Sequence, residues 1–226
     1  MKSNNSFRSA LNCYIKHPEK YPNDVLYYDS DFTVVYDKYP KAQVHLLVLP
    51  RDSIKTTQSP FLVFNYKNDP DKVFQNQLLL CIEKTKPIAI QQLVIKFPFL
   101  IQQSLNFDEY FKVGFHAIPS LSNLHVHVIS KDNLSERLKT KKHYISFNSP
   151  FLLNLYDLIK NNALNQRDIN SDEFFNIAKE MKKIMAQDMK CWKCGLNFRN
   201  DFKKLKDHLV IEANAIYKED REKIKS

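Results

Sequence analysis

Only two glycines occur in the 226 residues, Gly114 and Gly195. That scarcity excludes the glycine-rich loops that cradle phosphates in P-loop and dinucleotide-binding folds. No apolar run is long enough to span a bilayer, and Met1–Asn12 lacks the hydrophobic core of a signal peptide. The chain is therefore expected to be soluble and intracellular, with no membrane partner. Four cysteines are too few for a disulfide scaffold at this length. Cys13 and Cys81 stand alone in apolar surroundings and read as buried thiols, whereas Cys191 and Cys194 form a close pair.

What is present supports a real core: 43% of residues are hydrophobic and 16 are phenylalanine. The net charge is +9, and from Phe111 onward 21 Lys/Arg stand against 14 Asp/Glu. The excess sits in the half of the chain that carries the motifs below, where a polyanion would exploit it. A solvated surface would show the same excess.

Ser6 can cap a short helix with Phe7, Leu11, Tyr14 and Ile15 on one face, ended by Pro18 and Pro22. Strands are expected at Val25–Asp29, Phe32–Asp37, Gln43–Pro50, Phe111–Pro119 and Leu124–Ser130. Residues 52–72 and 131–142 read as polar loops. A helix is expected over Val73–Lys86, with Pro87 kinking or ending it, followed by a second apolar stretch from Ile88 to Leu105. Phe151–Lys160 and Asp172–Gln187 read as further helices around an Asn-rich linker at 161–170. The result is an α+β body followed by a small C-terminal module.

Leu124–Ser130 reads L-H-V-H-V-I-S. In an extended strand alternate residues share a face, so Asn123, His125 and His127 lie together while Leu124, Val126 and Val128 face the core. Two imidazoles and an amide make poor core, because each buried without a partner costs about 1–3 kcal/mol. His116, nine residues upstream and followed by Ser120, reaches the same pocket if the two strands form a tight hairpin. An imidazole is a competent nucleophile toward phosphorus, and a protonated neighbour can donate to the departing oxygen. The same H-x-H spacing also serves metal sites, so the spacing leaves phosphorus chemistry and metal binding both open.

These residues resemble the histidine-triad superfamily of nucleotide hydrolases and transferases, whose motif is His-φ-His-φ-His-φ-φ. This chain has N-L-H-V-H-V-I, with Asn123 in place of the first histidine. Three longer blocks, G-F-H-A-I-P-S-L-S-N-L-H-V-H-V-I-S, L-K-T-K-K-H-Y-I-S-F-N-S and D-K-Y-P-K-A-Q-V-H-L-L-V-L-P, are similar to the aprataxin family and its fungal members in particular. The resemblance implies a histidine-triad domain with an antiparallel sheet and flanking helices. It implies removal of AMP from the adenylated 5′ ends of nicked or broken DNA, through a covalent adenylyl-histidine. By position, His125 resembles the family's nucleophile and His116 the residue that protonates the departing 5′-phosphate. The resemblance further implies phosphate contacts from His127, Ser120 and Lys139, ribose binding by Asp37, and places for Lys41 and His45 around the pocket. Asp37 also suits a turn before Tyr39-Pro40. The Asn123 amide is expected to orient His125 without carrying charge. Phe7 matches an aromatic wedge against the terminal base pair, although its place on an amphipathic face also suits a core residue. With few residues ahead of that helix, the phosphopeptide-binding domain of animal relatives is not expected.

Cys191-Trp-Lys-Cys194 is followed after thirteen residues by His208 and four later by Glu212. Positions four apart share a helical face, so His208 and Glu212 can close on one metal with the two thiolates. The layout resembles a Cys-Cys-His-His finger whose last ligand is Glu, with a closed structural zinc. No redox cofactor is implied. Lys190, Lys193, Arg199, Lys203, Lys204 and Lys206 surround it, and sequence-independent phosphate contacts are the expected role, with Lys203 and Lys204 foremost. The expected organisation is a histidine-triad domain at 1–160, a helical connector at 161–187 and a DNA-binding finger at 188–226. A monomer is expected, resident in the nucleus with cytoplasmic presence allowed. Adenylated RNA–DNA junctions and 3′-guanylated ends are further implied substrates. Two rival readings are a general histidine-triad hydrolase of small dinucleotides and a non-catalytic finger that binds strand breaks.

Overall fold

The computed structural model describes residues 8–65, 67–100, 105–160 and 171–223; Ser6, Phe7 and the linker at 161–170 lie outside the described residues. In chain order the elements are α1 (Asn12–Lys16), β1 (Val25–Tyr28), β2 (Phe32–Tyr36), β3 (His45–Pro50), α2 (Pro60–Val63), α3 (Val73–Lys96), α4 (Phe107–Tyr110), β4 (Phe111–His116) and β5 (Val126–Ser130). They continue with α5 (Lys141–Phe147), β6 (Leu152–Asn154), α6 (Leu155–Lys160), α7 (Ser171–Ala186), β7 (Met189–Lys190), β8 (Asn197–Arg199) and α8 (Phe202–Lys223). Six strands make one antiparallel sheet in the order β1-β2-β3-β5-β4-β6, and β7 pairs with β8.

Alternation along the strands divides the sheet into two faces. Val34, Leu46, Val48, Val113, Phe115, Val126 and Val128 pack beneath α3 through Leu78, Ile82 and Leu93. On the other face Val35, Leu47 and Leu49 lie under Leu11 and Ile15, the buried apolar side of the N-terminal helix. His45, His127 and His116 share that second face, since His127 pairs with both Leu47 and Gly114. Gly114 is glycine because of crowding: a methyl group there would run into the Leu153 carbonyl of β6.

Four elements differ from the sequence reading. The expected polar loop at 52–72 contains α2, capped by Ser59 and burying Phe61 and Val63. Pro87 does not end its helix; α3 runs on to Lys96. Leu78, Ile82, Ala89 and Leu93 form one buried stripe across the proline, while Glu83 and Pro87 are exposed, so the carbonyl that loses its partner is left to water. The segment from Leu152 is not helical at its start, because β6 covers the free edge of β4, with Leu152 opposite His116. Asn154 then accepts from the Tyr156 and Asp157 amides and caps α6. Finally, β4 and β5 pair antiparallel, but a loop at 117–125 joins them in place of a tight hairpin.

The C-terminal finger is not a bead on a string. Met189, Cys191, Leu205 and Leu209 share one core with Leu138, Tyr144 and Ile145 of the preceding body and with Met181 and Ile184 of α7. Further along α8, Ala213 and Tyr217 enter the main core, where Tyr217 stacks on Phe97 and donates from its hydroxyl to Asp132. Among the described residues, no helix is long and apolar enough to cross a membrane.

Candidate active site and metal centre

An open pocket of about 600 Å³ lies on the second face of the sheet, between α1, the turn at 37–41, the loop at 117–125 and the segment leading into α5. His116, His125, His127, Asp37, Lys41, Ser120 and Lys139 all line it. The rings of His116 and His127 are 4.4 Å apart, those of His125 and His127 4.8 Å, and those of His45 and His127 5.1 Å. Phe147 packs against three of them, its ring 4.6 to 5.2 Å from those of His116, His127 and His45.

The hydrogen bonds decide which nitrogen carries a proton. His45 Nδ1 accepts the Lys41 amide at 3.2 Å, so the ring proton sits on Nε2. That Nε2–H donates to His127 Nδ1 at 2.9 Å, with Asp37 Oδ2 also 3.4 Å away. His127 therefore keeps its proton on Nε2, a buried atom without a partner among the described residues. An N–H held this way suits an anion. The opposite reading, a metal held by Asp37, His45 and His127, has three ligand atoms within 4.8 Å of one another. The tautomer argues against it: a metal-bound imidazole donates from its other nitrogen, and His45 accepts there.

His125 Nδ1 donates to the Asn123 carbonyl at 2.7 Å, which leaves the lone pair on Nε2. The orienting group is thus the main chain. The Asn123 amide points elsewhere, donating to Asn12 at 2.9 Å and to Thr56 at 3.3 Å. This corrects the expectation that the amide orients His125. Burial holds all four imidazoles neutral: it pushes His116 down to about 3 and His45 to about 4, and it lowers His125 and His127 as well. Neighbouring imidazoles push His116 and His127 further the same way. His116 Nε2 is buried and unpartnered among the described residues.

Asp37 takes part in both the turn and the pocket lining. Its Oδ1 accepts the Tyr39 amide at 2.7 Å, forming the turn, while the residue lines the pocket. Lys41 donates to the Tyr39 carbonyl, and burial lowers its pKa. The sequence reading missed His143, Arg137 and the apolar wall of Leu11, Tyr14, Leu47 and Leu121. His143 was within reach, because Thr140 Oγ1 accepts its amide as the cap of α5, a start signal visible in T-K-K-H.

The second cluster is in the finger. One ligand atom each from Cys191, Cys194, His208 and Glu212 lies within 4.8 Å of all the others. His208 Nε2 is 3.2 Å from both Cys194 Sγ and Glu212 Oε1. Gly195 supplies the φ of +76° with which its amide donates back to the Cys191 carbonyl at 2.9 Å. Two sulfurs, an imidazole and a carboxylate at such separations fit a tetrahedral zinc, whose ligands lie about 2.0–2.3 Å from the ion. Lys203 and Lys204 are exposed at the start of α8, the latter 3.2 Å from Asp201. Phe7 lies outside the described residues.

Fold and pocket define a histidine-triad domain joined to a zinc-binding finger. Family models agree: the HIT domain matches residues 19–134, and the C2HE / C2H2 / C2HC zinc-binding finger matches residues 148–215. The aprataxin-like protein of Schizosaccharomyces pombe is 36% identical over 212 residues, covering 92% of this chain and 82% of the relative. That of Saccharomyces cerevisiae is 33% identical over 225 residues, covering 93% and 97%. A crystal structure of the aprataxin ortholog Hnt3 in complex with DNA superimposes with a TM-score of 0.80 at 31% identity, covering 96% of this chain and 99% of that one. The chain belongs to the aprataxin-like family of HIT-domain proteins.

Proposed function

We propose that this protein is a DNA 5′-adenylate hydrolase, which removes AMP from the adenylated 5′ ends left by abortive ligation and restores a 5′-phosphate. The observation that carries the proposal is the orientation of His125: its Nδ1–H is spent on the Asn123 carbonyl, so its Nε2 lone pair is free for phosphorus. The apolar wall of Leu11, Leu47 and Leu121 suits a purine, and Asp37 is at hand for ribose hydroxyls.

In the first step His125 Nε2 bonds to the α-phosphorus while the bond from phosphorus to the bridging oxygen breaks. The electron pair stays on the DNA 5′-phosphate, which takes a proton from His116. Burial disfavours the charged form of His116; an entering pyrophosphate reverses the local charge and draws that proton in. The His127 Nε2–H, Ser120 and Lys139 steady the oxygens on phosphorus as charge redistributes. In the second step water attacks phosphorus and yields its proton to His116. The phosphorus–nitrogen pair then returns to His125, and AMP leaves.

Zinc held by Cys191, Cys194, His208 and Glu212 would cross-link the finger, a closed set that leaves no open position for chemistry. Exposed Lys203 and Lys204 would meet phosphates on either side of the break. Residence in the nucleus follows from the proposed substrate. Adenylated RNA–DNA junctions and 3′-guanylated ends would fit the same pocket chemistry.

Incubation with a 5′-adenylated nicked duplex and with a free dinucleoside polyphosphate tests the proposal. Preferred AMP release from DNA supports it. Preferred cleavage of the small molecule would make this a general nucleotide hydrolase, and tight DNA binding without release would make it a break-binding finger.

A further inference from the structure

Helix α5 has one side on the histidine pocket and the other on the finger. Toward the pocket it presents His143 and the Phe147 ring that packs against His116, His127 and His45. Toward the finger it is tied at three points. At its start, Lys141 Nζ donates to Asn200 Oδ1 at 2.6 Å and to the Ala186 carbonyl at 3.2 Å. In its middle, the hydroxyl of the fully buried Tyr144 donates to the Lys190 carbonyl at 2.9 Å and accepts the Trp192 amide at 3.0 Å. At its end, Lys112 Nζ donates to the Phe147 carbonyl at 3.1 Å and to Asn148 Oδ1 at 2.6 Å, and lies 5.3 Å from the centre of the Trp192 ring.

We infer that α5 is a strut through which the finger sets the geometry of the histidine pocket, with Tyr144 as the positioning residue. On this inference, which rests on the function proposed above, the finger contributes to the chemical step itself as well as to the capture of DNA.

The physical basis is the directionality of the Tyr144 bonds. A single hydroxyl that donates to residue 190 and accepts from residue 192 brackets Cys191, and so registers the helix against the knuckle in both directions. Burial raises the Tyr144 pKa, so the hydroxyl keeps its proton throughout the working range. Phe147 lies three residues on, and a shift of the helix moves its ring among the imidazoles. Displacing catalytic groups by about 1 Å costs about 10²-fold in rate.

The test compares Tyr144→Phe with the parent protein on two substrates, the 5′-adenylated nicked duplex and adenosine 5′-phosphoramidate, which carries no DNA. The expected result is an equal fall in kcat on both, of about 10- to 100-fold. KM for the phosphoramidate and Kd for DNA should stay unchanged, and the ring resonances of His116 and His127 should shift in NMR spectra. Unchanged kcat on the phosphoramidate with weakened DNA binding would overturn the inference and reduce the finger to a grip on DNA. Normal kcat per folded molecule with only a lowered Tm would overturn it as well. If Tyr144→Phe does not fold, Lys141→Met removes only the ties at the start of α5 and should give a smaller fall in kcat, again shared by both substrates; Lys141→Arg should rescue it. A parent protein that releases no AMP from DNA would refute the proposed function instead, so the two failures are separable.

Discussion

The pocket and the finger each gather histidine with acidic or polar neighbours, yet they are built for ligands of opposite charge. In the pocket, His45 accepts a backbone amide and passes its own N–H to His127, whose remaining N–H is buried without a partner among the described residues. In the finger, two thiols, an imidazole and a carboxylate bring together the donor atoms of a metal site. Proximity is shared, since both sets fall within 4.8 Å. The difference is what meets at the centre. Hydrogen atoms call for an anion; lone pairs call for a cation.

The strongest way to break this comparison is His125→Ala. AMP release should fall by about 10⁴-fold or more, on the scale of other nucleophile deletions, while DNA affinity in a binding assay stays close to the parent value. Appreciable turnover by this variant would remove His125 from the mechanism. Next, Cys191→Ala should abolish stoichiometric zinc, read by elemental analysis. It should also cost more than about 4 kcal/mol in denaturant unfolding, the range associated with losing a metal. Unchanged zinc content would mean that the four residues are not its ligands.

Acid should separate the two clusters. An imidazole held neutral by the fold takes up its proton more readily when unfolded, so the unfolded state binds more protons below pH 6.5. Stability is then fully present above pH 6.5 and is lost as pH falls toward about 4 and 3, the values for His45 and His116. The slope is about 1.4 kcal/mol per pH unit for each proton taken up. Saturating AMP should flatten that slope by giving the protonated rings a counter-charge. Thermal melts across this range that show no acid loss would contradict the desolvated, neutral pocket.

Replacing both Lys203 and Lys204 with alanine should weaken DNA binding and make it less sensitive to salt. The slope of log K against log salt should shrink by about 0.9 per lost phosphate contact; an unchanged slope would place the DNA elsewhere. The smallest effect is expected from Asn123→Ala. Because the carbonyl orients His125, AMP release should fall by less than about tenfold, and stability by about 1–3 kcal/mol for the amide bonds to Asn12 and Thr56. A collapse of activity would give the amide the part assigned here to the backbone.

Much of this was legible before any coordinates, for local reasons. Strand alternation placed His125 and His127 opposite Val126 and Val128, and helical spacing put His208 and Glu212 on one side of α8. Both follow from covalent geometry within a few residues. Elements decided by distant partners were not legible. Pro87 sits inside a helix because the core rewards the stripe on both sides of it, and β6 is extended because β4 offers a free edge.

The residue types and their spacing thus determined that this chain carries an imidazole cluster and a four-donor finger. Only the tertiary structure decided that His45 passes its Nε2–H to His127 Nδ1, since the two rings come from strands 82 residues apart in sequence. It alone also decided that the finger shares a core with the pocket's supporting helix. The partners that decide both points are distant in sequence, and no local pattern encodes them.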